Sequence, residues 1–283
     1  MAGKQDPLPS HPLAPPVLLH FPHHDLAPVC AAEGEATLSR MFCCLSVLLL
    51  ASVGAAARAE EAINLPTRPG VTLAILFSAA AHPVASLILF PGGFGLVRAV
   101  RNNFLIRVVP NFAALDFNVA VADAPSDQPN GMSDGFRMGD AAAEDIAAVI
   151  AFLRQRAAVP VWLVGTSRGT VSAASVGVRL GPSRVAGVVL TSTVWAGSIA
   201  QVPLEQLRVP TLLVHNHDDG CRESPFDYAP LGLNRLTGAP AKELIAVSGG
   251  MLRSGPCEAL SPHGYYGIED QVVPRIAAWI KAH

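Results

Sequence analysis

Seven short apolar runs divide the chain after residue 70, and each has the length of a β-strand. They span residues 71–79, 85–93, 117–125, 160–165, 185–193, 210–216 and 242–249. Most are continuous Val, Ile and Leu runs rather than alternating ones, which is typical of strands that are covered on both faces. The pattern therefore predicts a mostly parallel sheet that is packed between two layers of helices.

Two further segments carry apolar residues at helical spacing. The first opens on Asp140, a predicted N-cap, and places Ile146, Ile150 and Leu153 on one face. The second is the apolar stripe within residues 272–280, near the C-terminus. Because strands and helices alternate along residues 60–283, we expect this range to form one α/β domain.

Residues 1–59 differ in pattern from the predicted domain. Residues 1–40 are rich in Pro, His and Ala without helical or strand periodicity, which indicates a disordered extension or a start codon assigned too far upstream. Residues 41–59 have an apolar run too short to span a bilayer, followed by a small-x-small pattern that ends at Ala59. We expect a secretory signal peptide, cleaved after Ala59, and a periplasmic or secreted protein with no membrane span. An uncleaved membrane anchor is the alternative.

The cysteine positions agree with an oxidising compartment. Only Cys221 and Cys257 follow the expected cleavage site, and an even pair in a secreted chain favours a disulfide. Such a bridge would contribute about 4 kcal/mol in the chain-entropy model. Two free thiols are the alternative.

Composition excludes some classes of partner. The formal net charge is −2 and aromatic residues make up 6% of the chain, so neither a basic surface nor a stacking platform for nucleic acid is expected. His215, His217, Asp218 and Asp219 could supply metal ligands, but nothing elsewhere at ligand spacing completes a site. We expect no metal and no cofactor, and the sequence leaves the oligomeric state open.

The run "VWLVGTSRG" places Ser167 between two glycines where a predicted strand meets a helix of small residues. Gly-x-Ser-x-Gly in this context is typical of a nucleophile elbow, a turn too sharp for side chains beside the serine. The N-terminus of the following helix would stabilise negative charge that develops nearby. Alone, the pattern could equally be a simple turn.

Two later loops carry the other side chains that such a serine needs. Asp218 and Asp219 follow the strand at 210–216, and His263 follows the strand at 242–249. Ser, Asp and His in this chain order are typical of a triad built on a parallel sheet, in which the histidine takes the serine proton. His215 and His217 lie too close in sequence to the carboxylates to bridge them to the serine, and we interpret both as structural.

The motifs "GTSRG", "FPGGFG", "HNHDDG" and "SPHGYYG" together resemble those of the α/β-hydrolase superfamily, in particular its small dienelactone-hydrolase-like and esterase-like bacterial members. The resemblance covers residues 70–283. It implies the α/β-hydrolase fold and favours Asp219 over Asp218 as the triad acid. It also implies an oxyanion hole built from the backbone N–H of Arg168 and that of Gly93 or Phe94.

The resemblance implies a serine hydrolase that cleaves small-molecule esters through an acyl-enzyme intermediate. About 16 residues separate Thr193 from Pro210, where many members insert a lid, so we expect no large lid domain. A serine peptidase or acyltransferase on the same scaffold is one alternative, because a triad fixes acyl transfer but not the acceptor. A catalytically silent binding module is the other.

Overall fold

Eight strands form one sheet in a computed structural model, which describes residues 60–195 and 198–283. The predicted leader, residues 1–59, lies outside the described residues. The strands are β1 (Glu61–Arg68), β2 (Val71–Ser78), β3 (Ala85–Phe90), β4 (Phe117–Ala122), β5 (Val161–Thr166), β6 (Gly187–Thr191), β7 (Thr211–Asn216) and β8 (Lys242–Val247). Their order is β1-β2-β4-β3-β5-β6-β7-β8. Strands β3 to β8 pair in parallel, which confirms the predicted mostly parallel sheet.

The first strand is the one that the apolar pattern does not predict. β1 pairs antiparallel with β2, which in turn pairs antiparallel with β4. Its residues are exposed or only partly buried, and it contains Pro66, which an edge strand tolerates because one side of its backbone needs no partner. Arg68 holds this edge against the helical layer by donating from Nε to Oδ1 of the buried Asp145, at 2.8 Å.

Helices cover both faces of the sheet. In chain order they are α1 (Phe104–Arg107), α2 (Val109–Ala113), α3 (Asp134–Arg137), α4 (Asp140–Arg156), α5 (Gly169–Leu180), α6 (Ser198–Gln201), α7 (Ala229–Arg235) and α8 (Glu269–Ala282). Apolar residues of α4 and α5 pack on one face, and those of α2 and α8 pack on the other. Between β6 and β7 the described residues form only α6 and a 3-10 turn, so there is no large lid domain. No described helix has the length and hydropathy needed to cross a bilayer.

The expected N-cap role of Asp140 is wrong. Gly139 occupies the N-cap of α4, and Asp140 is the first helical residue. The short helix α3 ends immediately before this point, and its own N-cap is Ser133, whose side chain accepts from the Phe136 N–H. Asp140 therefore lies in the first turn of α4, where a carboxylate still favours the helix dipole.

Candidate active site

The turn after β5 brings Ser167 to the carboxyl edge of the sheet. Its φ of 52° lies in the left-handed region, which costs a non-glycine residue free energy. A Cβ at Gly169 would lie 1.9 Å from the Phe90 carbonyl oxygen, and a Cβ at Gly165 would lie 2.5 Å from the Gly169 carbonyl oxygen. Both glycines are therefore required by the close approach of backbone segments. The Ser167 N–H donates to the Thr191 carbonyl at 3.0 Å, which anchors the turn to β6.

The N-terminus of α5 lies directly behind Ser167. The helix begins at Gly169, and Arg168 is its N-cap residue. The Arg168 N–H makes no hydrogen bond to another backbone group of the described residues, so it remains available as a donor. The Arg168 side chain is turned to Asp134 of α3, with Nη2 and Oδ1 2.7 Å apart.

Asp219 and His263 are hydrogen-bonded to each other. His263 Nδ1 lies 2.8 Å from Asp219 Oδ2, and both side chains are buried. Ser224 contacts both members of this pair, since its Oγ lies 2.9 Å from the same carboxylate oxygen and 2.9 Å from the same ring nitrogen. The other carboxylate oxygen, Asp219 Oδ1, accepts from the Cys221 N–H at 2.9 Å. These contacts fix the imidazole by its Nδ1 side.

Asp218, the alternative acid, is bonded elsewhere. Its Oδ2 accepts from the Gly249 N–H at 2.6 Å, and the residue is exposed. The contact ties the loop after β7 to the loop after β8. Among the described residues, the carboxylate hydrogen-bonded to His263 is that of Asp219 and not that of Asp218.

Ser167 and His263 line one cavity of about 570 Å³. His263 Nε2 is buried and has no hydrogen-bond partner among the described residues. Since Nδ1 is bonded to the carboxylate, Nε2 is the ring nitrogen left without a partner among the described residues, and it makes no hydrogen bond to Ser167. The walls are formed by the loop after β3, the start of α1 and the His263 loop, which contribute Gly93, Asn103 and Leu260 among others.

The other two histidines of the motif have structural surroundings. His215 Nε2 accepts from the Thr193 N–H at 2.8 Å, and its ring stacks on Trp195 at 5.6 Å. Burial lowers the pKa of His215 to about 4, so its ring is neutral at pH 7. The His217 ring stacks on Phe226 at 3.6 Å between centroids. Neither histidine lines the cavity.

The loop after β3 packs against the elbow. A Cβ at Gly92 would lie 2.9 Å from the Ser167 Cβ, so this position also requires glycine. Gly93 lines the cavity, and the Phe94 side chain is 62% exposed. The N–H groups of Gly93 and Phe94 donate to no other backbone group of the described residues. Two free amides thus lie in the loop beside the serine.

A disulfide joins Cys221 and Cys257, as the cysteine positions predict. Cys221 is buried two residues after Asp219, while Cys257 is exposed and lines the cavity six residues before His263. The bridge therefore links the loop of the carboxylate to the loop of the imidazole. Cys221 also lies near the Asp219–His263 pair, but in the disulfide it offers no thiolate to a metal.

Three residues with defined contacts around the site were not predicted: Arg137, Ser224 and Tyr265. Tyr265 has a φ of 53°, and its hydroxyl donates to the Val214 carbonyl at 2.7 Å and accepts from the Ser192 N–H at 3.0 Å. Ser192 Oγ in turn donates to the His263 carbonyl at 2.7 Å. Burial raises the pKa of the Tyr265 hydroxyl. The flanking glycines in "HGYYG" were the only sequence signal for such a turn.

The chain has the α/β-hydrolase fold, since solved structures of this class superpose on most of it. A dienelactone hydrolase from Anabaena variabilis has a TM-score of 0.60 at 14% identity, over 80% of this chain and 98% of that one. An α/β serine hydrolase homologue from Coxiella burnetii has a TM-score of 0.55 at 17% identity, over 78% and 96%. An esterase from Pyrococcus furiosus has a TM-score of 0.57 at 13% identity, over 78% and 91%.

No protein-family model matches the chain, and no curated protein matches it in sequence. At identities this low, the structural likeness shows the fold. The chemistry has to be argued from the site itself.

Proposed function

We propose that the protein is a serine hydrolase that cleaves carboxylic esters through an acyl-enzyme intermediate. Ser167 is the nucleophile, His263 the general base and Asp219 the acid that orients the histidine. The observation that carries the proposal is the buried Asp219–His263 hydrogen bond of 2.8 Å, because this histidine lines the same cavity as the strained Ser167. A silent binding module has no chemical need for this combination.

In the proposed reaction, His263 Nε2 takes the Ser167 proton as Oγ attacks the ester carbonyl. The Asp219 carboxylate accepts the Nδ1–H bond and stabilises the imidazolium that forms. The Arg168 N–H and an amide of Gly93 or Phe94 donate to the oxyanion. His263 then returns the proton to the leaving alcohol, and water releases the acid by the same steps in reverse order.

The proposed substrate is a small-molecule ester. The described residues contain no large lid over the cavity, and its volume of about 570 Å³ lies within the usual range for small-ligand sites. We also propose that the protein is periplasmic or secreted after removal of residues 1–59. The disulfide supports an oxidising compartment, because such bonds are rare in the reducing cytosol.

The proposal is tested with a fluorophosphonate probe and with p-nitrophenyl esters of graded chain length. We expect the folded protein to be labelled once, on the peptide that contains Ser167, and to hydrolyse short esters. Protein unfolded by heat before labelling is the control for nonspecific reaction. Absence of labelling in the folded protein would refute the proposed function. Turnover of matched p-nitroanilides at a comparable rate would instead indicate a peptidase.

The disulfide gives a prediction about activity as well as stability. Removing the bridge with Cys221→Ser and Cys257→Ser is expected to destabilise the protein by up to about 4 kcal/mol. It is also expected to lower kcat by roughly 10- to 100-fold, because the loops of Asp219 and His263 lose their covalent link and small displacements are costly in an active site. Chemical denaturation and ester kinetics measure the two effects.

A mild reductant provides the matching control. It should reproduce the loss of kcat in the wild type and change nothing in the double variant, which has no disulfide left. If kcat per folded molecule is the same with and without the bridge, the bridge has no part in positioning the pair.

A further inference from the structure

Arg137, the last residue of α3, is a buried cation whose two hydrogen-bond partners among the described residues are neutral. Its side chain is among the largest that are fully buried, with 1% exposure. Nη1 donates to the Ser172 Oγ of α5 at 2.8 Å, and Nη2 donates to the Gly93 carbonyl at 3.0 Å. Nε is buried without a hydrogen-bond partner in the described structure. A buried guanidinium that lacks a bonded carboxylate is costly, so a function is expected of it.

The Gly93 carbonyl belongs to a tightly fixed loop. The Gly92 carbonyl accepts from the Gly95 N–H at 3.2 Å, and the Phe94 carbonyl accepts from the Met132 N–H at 2.9 Å. Arg137 donates to the carbonyl that lies between these two, that of Gly93. The fit is close, because a Cβ at Gly95 would lie 2.9 Å from Arg137 Nη2. Every carbonyl from Gly92 to Phe94 is therefore bonded, while the amides of Gly93 and Phe94 make no backbone hydrogen bond.

We propose that Arg137 is a positioning residue that fixes the two halves of the oxyanion hole relative to each other. One half is the loop after β3, which Arg137 holds by the Gly93 carbonyl. The other is the first turn of α5 with the Arg168 N–H, which Arg137 holds through Ser172. This inference rests on the proposed function, because an oxyanion hole has a role only if Ser167 attacks a carbonyl.

Holding Gly93 in place sets the direction of both candidate donor amides of the loop. The Gly93 N–H lies in the peptide on one side of the residue and the Phe94 N–H lies in the peptide on the other side, so both amide directions depend on how Gly93 is held. Gly93 has a φ of 59°, and glycine has little conformational preference of its own to keep it there. The planar, two-pronged guanidinium supplies the missing restraint, which a single-point ammonium cannot reproduce.

The positive charge of Arg137 would also favour an oxyanion at the hole. Burial, and secondarily the charge of Arg168, lowers the pKa of Arg137 to about 10, while Asp134 opposes the shift. The group therefore remains charged at pH 7. A fixed positive charge behind the loop, in a region of low dielectric, stabilises negative charge that develops at the hole.

The test compares Arg137→Met, Arg137→Lys and Ser172→Ala with wild type. Arg179→Met is the control. Arg179 also joins α5 to the end of α3, because its side chain donates to the carbonyl of Met138, the residue after α3, but it makes no hydrogen bond to the described residues of the loop after β3. Active sites are first titrated with the fluorophosphonate, so that kcat is expressed per reactive serine. Inhibition by an alkyl boronic acid, which forms a tetrahedral adduct on the serine, reports stabilisation of the oxyanion-like state.

We expect Arg137→Met to lower kcat per titrated site by roughly 10- to 100-fold with KM changed less than about threefold, because the interaction acts on the transition state. The boronic acid should bind more weakly by a similar factor. Arg137→Lys should recover part of the loss, and Ser172→Ala should cost roughly 2- to 10-fold. Arg179→Met should equal wild type.

Other outcomes separate the two proposals. If the wild type is not labelled at Ser167, the proposed function fails, and this inference fails with it. If the wild type is labelled and Arg137→Met keeps kcat per titrated site, the inference alone is wrong, even when fewer sites are titratable. Should Arg137→Met yield no folded protein, unchanged kcat and boronic acid binding in both Arg137→Lys and Ser172→Ala would overturn the inference.

Discussion

Replacement of Ser167 by alanine is expected to lower ester turnover by roughly 10⁵- to 10⁶-fold and to abolish fluorophosphonate labelling. The reason is that, in the proposed reaction, Ser167 Oγ is the atom that forms the acyl bond, and it lies on the strained turn in the cavity that His263 also lines. The remaining activity would come from the oxyanion hole acting on bound ester and water. Initial rates with p-nitrophenyl acetate and mass spectrometry of labelled protein measure the two effects.

Ser175→Ala is the matched control for this variant. Ser175 lies on the same helix, α5, and is buried, but it does not line the cavity. It should keep wild-type turnover and labelling. Labelling that persists in Ser167→Ala would place the nucleophile elsewhere, and the strained turn at residue 167 would then need another explanation.

Asp219→Asn is expected to lower kcat by roughly 10³- to 10⁴-fold, while Asp218→Asn lowers it by less than about threefold. Asp219 Oδ2 lies 2.8 Å from His263 Nδ1, so an amide there removes the charge and can present an N–H that holds the wrong tautomer. Asp218 instead accepts from the Gly249 N–H, which an asparagine oxygen can also do. Steady-state kinetics of the two variants, side by side, decide between them.

The two aspartates control for each other, because they are adjacent and the substitutions are identical. Thermal unfolding checks that both variants are folded. A larger loss in Asp218→Asn than in Asp219→Asn would reverse the assignment of the acid. Equal, small losses would remove the carboxylate from the proposed mechanism.

The central strands were predictable because burial on both faces leaves a simple signature. Continuous apolar runs match β2 to β8, although several end two or three residues earlier than the runs suggest, at the point where loops take over. β1 was not predictable from periodicity, since its order depends on pairing with β2 and on the ion pair of Arg68 with Asp145, 77 residues away. Continuous apolar runs in the sequence indicate strands that are buried, and an edge strand such as β1 is largely exposed.

The proposed triad was predictable for a different reason. Ser167, Asp219 and His263 each follow a parallel strand, and the carboxyl ends of parallel strands meet at one edge of the sheet. Arg137 and Ser224 carry no such signal. Arg137 acts across 35 residues on Ser172 and Ser224 across 39 on His263, so only the folded chain brings these pairs together.

The bridge between Cys221 and Cys257 also has a consequence for the border of the sheet. The ring that it closes contains α7 and β8, and β8 is the last strand in the sheet order. Outer strands are where a sheet opens first and where a second chain adds by backbone pairing. With both ends of this segment covalently joined, β8 cannot peel away to its full length. The same sulfur bridge that lies at the cavity therefore also limits how far this border of the sheet can open locally.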